Sequence, residues 1–175
     1  QLGEKKWWQA IQLYVKSSAY KQVSTKDFQK AVEKVSGHSY QWFFNQWIYK
    51  IGLPRLQITK KYNFKKKVLY IHVKQTQSHE NKTDYEQIDY FQGKVDIEID
   101  SKIESIYLKP QAEAEYIFKR KAEPRLINFN FEETFLCHLE FEKTREEYLY
   151  QLANSQDDLA KQKAMDQLVI HAMDS

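Results

Sequence analysis

The residue types able to do chemistry are scattered along this chain rather than clustered. The five histidines are His38, His72, His79, His138 and His171. A zinc hydrolase needs paired His ligands at helical spacing with a Glu general base beside them, as in H-E-x-x-H. None of the five has a second histidine three to five residues away, so each reads as a surface or strand-face histidine. His72 alternates with Ile71 and Val73 and is expected on the solvent side of a strand. Cys137 and His138 are adjacent, but neighbours in a chain point apart, and a nucleophile and its base come from separate segments. Phe135, Leu136 and Leu139 around it make Cys137 a small apolar residue. With 4 glycines in all, no phosphate-cradling loop is present.

Two features invite binding. The run Lys60-Lys61-Tyr62-Asn63-Phe64-Lys65-Lys66-Lys67 interleaves rings and lysines, a composition that can hold single-stranded nucleic acid. It also lies between two expected strands, where a lysine-studded hairpin tip needs no ligand, and that is the reading adopted. The cluster from Trp42 to Trp47 has helical spacing and belongs to a core or interface. No catalytic, substrate-binding or metal residue is therefore assigned, and no cofactor is expected in this chain.

Three blocks would carry these residues. The first is helical: Trp7, Trp8, Ile11, Tyr14 and Val15 share one face over about residues 3–18. Ser24 and Asp27 form the ends of a capping box, the stripe Phe28, Ala31, Val32 and Val35 follows, and Gly37 supplies a left-handed stop. A third helix holds Trp42 through Ile48 and ends at Gly52 and Pro54. The second block, about 55–130, changes to period two, with apolar pairs or triplets at Leu56, Ile71, Ile97, Ile106, Phe118 and Leu126. From about Glu132 the chain is expected to return to helix, with Tyr148, Leu149 and Leu152 on one segment and Leu159, Ala160, Met165, Leu168 and Val169 on another. The fold class is α+β: N-terminal helices, a small antiparallel β-sandwich, then C-terminal helices.

Composition agrees. Apolar residues make up 42% and charged residues 29% of 175, a globular balance, and 15% aromatics give ample core material. A net charge of +3, from 27 basic and 24 acidic groups, favours neither nucleic acid nor membrane as partner. No apolar run approaches the roughly 18 residues of a membrane span. One cysteine rules out an intrachain disulfide framework.

The helical block resembles the aminopeptidase N family of zinc peptidases. Ser24 to Phe28, Ala31, Glu33, Ser36 and Gly37 are similar to its T-x-x-D-F-x-x-A-x-E-x-x-S-G segment. Phe43-Phe44-Asn45-Gln46-Trp47, Gly52, Pro54 and Leu56 look like its F-F-x-Q-W-x-x-x-x-G-x-P-x-L continuation. The likeness returns at Leu139, Phe141, Glu142 and Lys143. It implies that residues 1–52 end a thermolysin-like catalytic domain, 53–131 form a β-sandwich domain and 132–175 open a C-terminal helical domain. The family's G-x-M-E-N and H-E-x-x-H motifs, its later zinc-binding Glu and its transition-state Tyr lie upstream of these segments. No G-x-M-E-N or H-E-x-x-H pattern occurs in this chain, so no catalytic residue carries over. The resemblance thus implies a non-catalytic structural fragment of a zinc aminopeptidase, with zinc and peptide substrate in the parent protein only. Its partners would be the remaining catalytic and helical domains. Self-association of the fragment is expected where those partners are missing. The alternative is a fragment of a metal-free, aminopeptidase-like scaffold subunit of a protein complex. A self-contained peptide- or carbohydrate-binding sandwich fits less well, because the helical motif precedes it.

Overall fold

The structure, a computed structural model, describes residues 2–79, 83–100 and 102–173. It has the α+β order expected: helices, sheets, helices. The chain divides into two compact units, Gln1–Gly52 with Glu80–Ile88, and Leu53–His79 with Asp89–Ser175.

The first unit holds α1 (Glu4–Ser18), α2 (Thr25–Ser36) and the short α3 (Gln41–Phe44), which widens into a π-turn at Asn45–Tyr49. Its centre is Ala10, Val32 and Phe44, with Leu2, Phe28, Val35, Tyr40 and Phe43 packed around them. Phe28 meets Trp7, Tyr14 and Phe44 edge-on, with centroids 5.8, 5.4 and 6.1 Å away, the geometry that ring quadrupoles favour. The apolar stripe expected on α1 is not the buried face. Ala10 is inside, Ile11 and Tyr14 are half-buried, and Trp7, Trp8 and Val15 are exposed. A small residue lets α1 sit close to Val32 and Phe44, and the larger side chains are left at the rim or outside.

At the start of α2 the capping box is formed, with Asp27 accepting the Ser24 amide at 2.9 Å. The Ser24 hydroxyl turns onto the same carboxylate, 2.9 Å, and the Asp27 amide bonds the Ser24 carbonyl at 3.0 Å. The Asp27 carboxyl is held below its ordinary range by these bonds to Ser24 and by Lys30. Gly37 ends α2 at φ 75°, where a Cβ would be strained, and its N–H caps the Glu33 carbonyl at 2.9 Å. The Glu33 side chain accepts from Gln29 Nε2 (3.0 Å), Ser39 Oγ (3.2 Å) and the Tyr40 amide (2.9 Å), so it pins the turn into α3. Those donors, Gln29 foremost, hold the Glu33 carboxyl low. Ile51 donates to the Glu86 carbonyl and accepts from Ile88. The polar stretch from Thr76 to Glu86, expected from its composition as a loop or an extended hairpin end, thus pairs in part with Ile51. Residues 80–82 of that stretch lie outside the described residues.

In the second unit β1 (Arg55–Asn63), β2 (Val68–Gln75), β5 (Glu113–Lys119) and β7 (His138–Glu140) form one sheet in the order β5-β2-β1-β7. The strands β3 (Gly93–Ile99), β4 (Lys102–Leu108) and β6 (Ile127–Phe129) form another, ordered β4-β3-β6. Leu56, Ile58, Leu69, Ile71 and Val73 on the first sheet are buried, as are Val95, Ile97, Ile99, Leu108 and Phe129 on the second. The sheets are joined along one side, where the Tyr116 hydroxyl donates to the Tyr107 carbonyl (2.9 Å) and Arg120 pairs with Glu104 (2.8 Å).

Pairing is antiparallel except at β7, which runs parallel to β1 and matches His138 with Arg55 and Glu140 with Gln57. Helix does not resume at Glu132. A 3-10 turn at Phe131–Glu133 and the strand β7 come first, and α4 begins at Arg145. Asn130, at φ 63°, holds this stretch by exchanging bonds with both backbone groups of Phe135. The helix α4 (Arg145–Asn154) starts in a second capping box between Thr144 and Glu147, and α5 (Asp158–Met173) packs beside it. Tyr148, Ala160 and Ala164 are inside; Leu149, Leu159, Met165 and Val169 are exposed.

Candidate functional site

The chemistry-bearing residues do not converge where their types drew attention. His72 stands on β2 with Glu113 at 3.3 Å, His79 meets Asp89 at 2.9 Å, and His138 meets Glu140 at 3.6 Å. His38 is exposed, and the His171 side chain lies outside the described residues. Among the described residues no three His, Cys, Asp or Glu side chains gather as a metal site.

Cys137 is half-buried, and burial pushes its thiol up to about 11. It therefore carries little thiolate at neutral pH. The basic run forms the end of β1 and the turn that leads into β2, closed by Asn63 Oδ1 accepting from the Lys66 amide at 2.9 Å. Tyr62 is tied to the Arg120 carbonyl, while Phe64 is exposed. The Trp42–Trp47 cluster belongs to α3 and its π-turn, with Phe44 buried in the first unit.

A cleft of about 1180 Å³ in the second unit is the site that the side-chain types did not announce. Its walls come from Gln57–Lys60 of β1, residues 137–144, and the inner faces of α4 and α5. Lys143 projects into it and donates to the neutral Gln151 Oε1. Gln151 Nε2 donates in turn to the Ala160 carbonyl at 2.6 Å, so one amide ties the segment after β7 to both helices. Lys60 is paired with Glu147, and Lys163 with Glu133. Both Lys143 and Lys60 approach the ring of Phe141, at 4.8 and 5.8 Å from its centroid.

Although Lys143 as a residue is half-buried, its ammonium is inside. Burial, with Lys60 adding repulsion against the pull of Glu98, pushes its pKa down to about 7. Burial lowers Lys60 too, against the attraction of Glu123.

Beside the cleft is a polar knot around two buried carboxylates, Glu98 and Asp157. Glu98 of β3, 0% exposed, accepts from Ser155 Oγ at 2.5 Å and from the Gln156 amide at 2.8 Å. Asp157 accepts from Asn128 Nδ2 (2.9 Å) and the Glu132 amide (2.7 Å) through one oxygen. Its other oxygen takes the Leu159 and Ala160 amides at 3.0 and 3.3 Å, which caps α5. Two carboxylates thereby rivet the three-stranded sheet to the α4–α5 corner. No run of residue types signals this arrangement. The signal available was S-x-D before an apolar-periodic segment, a helix start.

No family model matches this sequence. Over 58 residues it is 33% identical to transcription initiation factor TFIID subunit 2 of Saccharomyces cerevisiae, a match covering 33% of this chain and 4% of that protein. A crystal structure of Legionella pneumophila aminopeptidase A in complex with aspartic acid superposes with a TM-score of 0.78 at 17% identity, over 96% of this chain and 19% of the other. The chain thus spans a small part of the length of both of these proteins. Helices, paired sheets and helices in this order make an aminopeptidase-like fold.

Proposed function

We propose that these residues are a non-catalytic scaffold segment of a zinc-dependent aminopeptidase. Residues 1–52 would end its catalytic domain, 53–131 form its β-sandwich and 132–175 open its helical domain. The superposition over 96% of the chain carries this reading, and the motif spacing from Ser24 to Leu56 supports it. In the parent, zinc would activate water for attack on the first peptide bond, with ligands supplied by residues other than these. The scaffold-subunit reading draws on the yeast similarity, which reaches 33% of the chain, and is not the one adopted.

Purified alone, the chain is expected to hold no stoichiometric zinc by elemental analysis and to hydrolyse no aminoacyl nitroanilide. A longer protein containing it should do both and lose activity to a chelator. One tightly held zinc in the chain itself, with chelator-sensitive hydrolysis, would overturn the scaffold role. A longer protein lacking both would overturn the peptidase parent.

The exposed apolar side chains fit the same proposal, with the rest of the parent as their cover. Trp7, Trp8, Val15 and Ile48 lie open in the first unit, and Leu159, Met165, Val169 and Ile170 in the second. Re-burying apolar area contributes roughly 25 cal/mol per Å², so the isolated chain should associate with itself. Light scattering should give a mass that grows with concentration, accompanied by binding of a hydrophobic dye. A strictly monomeric chain that binds no dye would contradict this.

A further inference from the structure

We propose that Lys143 is a modification site, a nucleophilic amine placed in the second unit's cleft to take small uncharged carbonyl compounds, aldehydes above all, as a reversible Schiff base. The inference is independent of the peptidase reading and rests on three observations. Lys143 lines a cleft of about 1180 Å³, room enough for a small organic molecule beside its amine. Its acceptor is a neutral amide, Gln151, whereas Lys60 and Lys163 in the same cleft are held by Glu147 and Glu133. A second cation, Lys60, shares the Phe141 ring with it. Desolvation and a neighbouring cation are the two devices that turn a lysine into a nucleophile. Its low pKa, about 7, is consistent with both.

The charged and titratable groups that line the cleft or act on the amine include Lys60 of β1, Glu98 of β3, Glu133, His138 and Glu140, Glu142 before α4, Glu147 of α4, and Asp157, Lys163 and Asp166 at α5. Carboxylates outnumber amines there, which disfavours anionic reagents. Phe141 lines the cleft beside the amine and adds apolar surface for an uncharged reagent. In the reaction the Lys143 nitrogen lone pair attacks the carbonyl carbon, and the oxygen takes a proton. Water then leaves as the C=N bond forms, with nothing oxidised or reduced.

The probe is benzaldehyde at low ratio to the intact chain, trapped with borohydride and mapped by peptide mass spectrometry between pH 6 and 10. At neutral pH about half of an amine with a pKa near 7 is unprotonated, against under a thousandth of an ordinary lysine. Lys143 is expected to label at least about tenfold faster than any exposed lysine at pH 7, with its rate levelling off above pH 8. Lys143→Arg should remove that label alone. Lys60→Gln, checked for intact fold by circular dichroism, should slow Lys143 labelling at pH 7 severalfold by lifting the repulsion. Labelling no faster than at Lys65 or Lys66, a rate still rising through pH 10, or indifference to Lys60→Gln in a folded chain would each refute the proposal.

Discussion

Asp157→Ala should destabilise the chain by about 3–5 kcal/mol, because several donors lose one shared charged acceptor at roughly 1–3 kcal/mol for each left unsatisfied. The carboxylate is 3% exposed and satisfies four donors: the Asn128 amide and the backbone N–H groups of Glu132, Leu159 and Ala160. Alanine leaves all four without this acceptor, the Asn128 and Ala160 donors in buried surroundings, and each stranded donor costs free energy of its own. Asp157→Asn keeps the size but aims an N–H₂ at one pair of donors, so it should recover part of the loss and no more. Urea unfolding followed by fluorescence and by circular dichroism measures both. A loss under about 1 kcal/mol for the alanine variant would mean that water reaches the knot and replaces the carboxylate.

Lys143→Met should change how stability responds to pH. In the folded chain Lys143 titrates near 7, against an ordinary value of 10.5. Between those values the unfolded chain holds a proton that the folded chain has released. Folding therefore gains stability as pH rises through that window, and the burial penalty is fully present below about pH 7. Methionine removes the penalty and its slope. The variant should be more stable than the parent chain at pH 6–7, and the gap should narrow by on the order of 2 kcal/mol by pH 9. Cys137, raised to about 11, acts in the opposite direction above pH 9 and is common to both chains, so the comparison cancels it. Melting curves at half-unit pH steps test the expectation. Parallel curves would show that the ammonium stays solvated.

What could be read beforehand followed from local rules. Leu69, Ile71 and Val73, or Val95, Ile97 and Ile99, repeat at period two because one face of each strand is buried. Gly37 marks a helix end because few other residues accept φ 75°. The strand β7 is not among the elements expected from sequence, although Phe135, Cys137, Leu139 and Phe141 alternate. Three residues paired in parallel with a strand far back in the chain leave too little pattern. Trp7, Trp8 and Val15 misled for a different reason: helical spacing identifies an apolar face but not what covers it. Lys143, Glu98 and Asp157 were invisible, since their burial depends on contacts between distant segments and their residue types point to the surface.

The parallel pairing of β7 with β1 also has a consequence in time. Residues 55–57 lie at the beginning of the sandwich and wait for 138–140 before that edge of their sheet is covered. During synthesis at roughly 5–20 residues per second, such a chain spends several seconds with β1 made and its final neighbour still unborn. Leu56 and Ile58, both buried in the finished fold, sit beside that open edge throughout. A strand edge left unpaired is a template for another chain. Arg55 and Lys60–Lys61 at either end of the segment place like charges where two nascent copies would have to meet, which favours waiting for β7 over pairing with a neighbour on the same message.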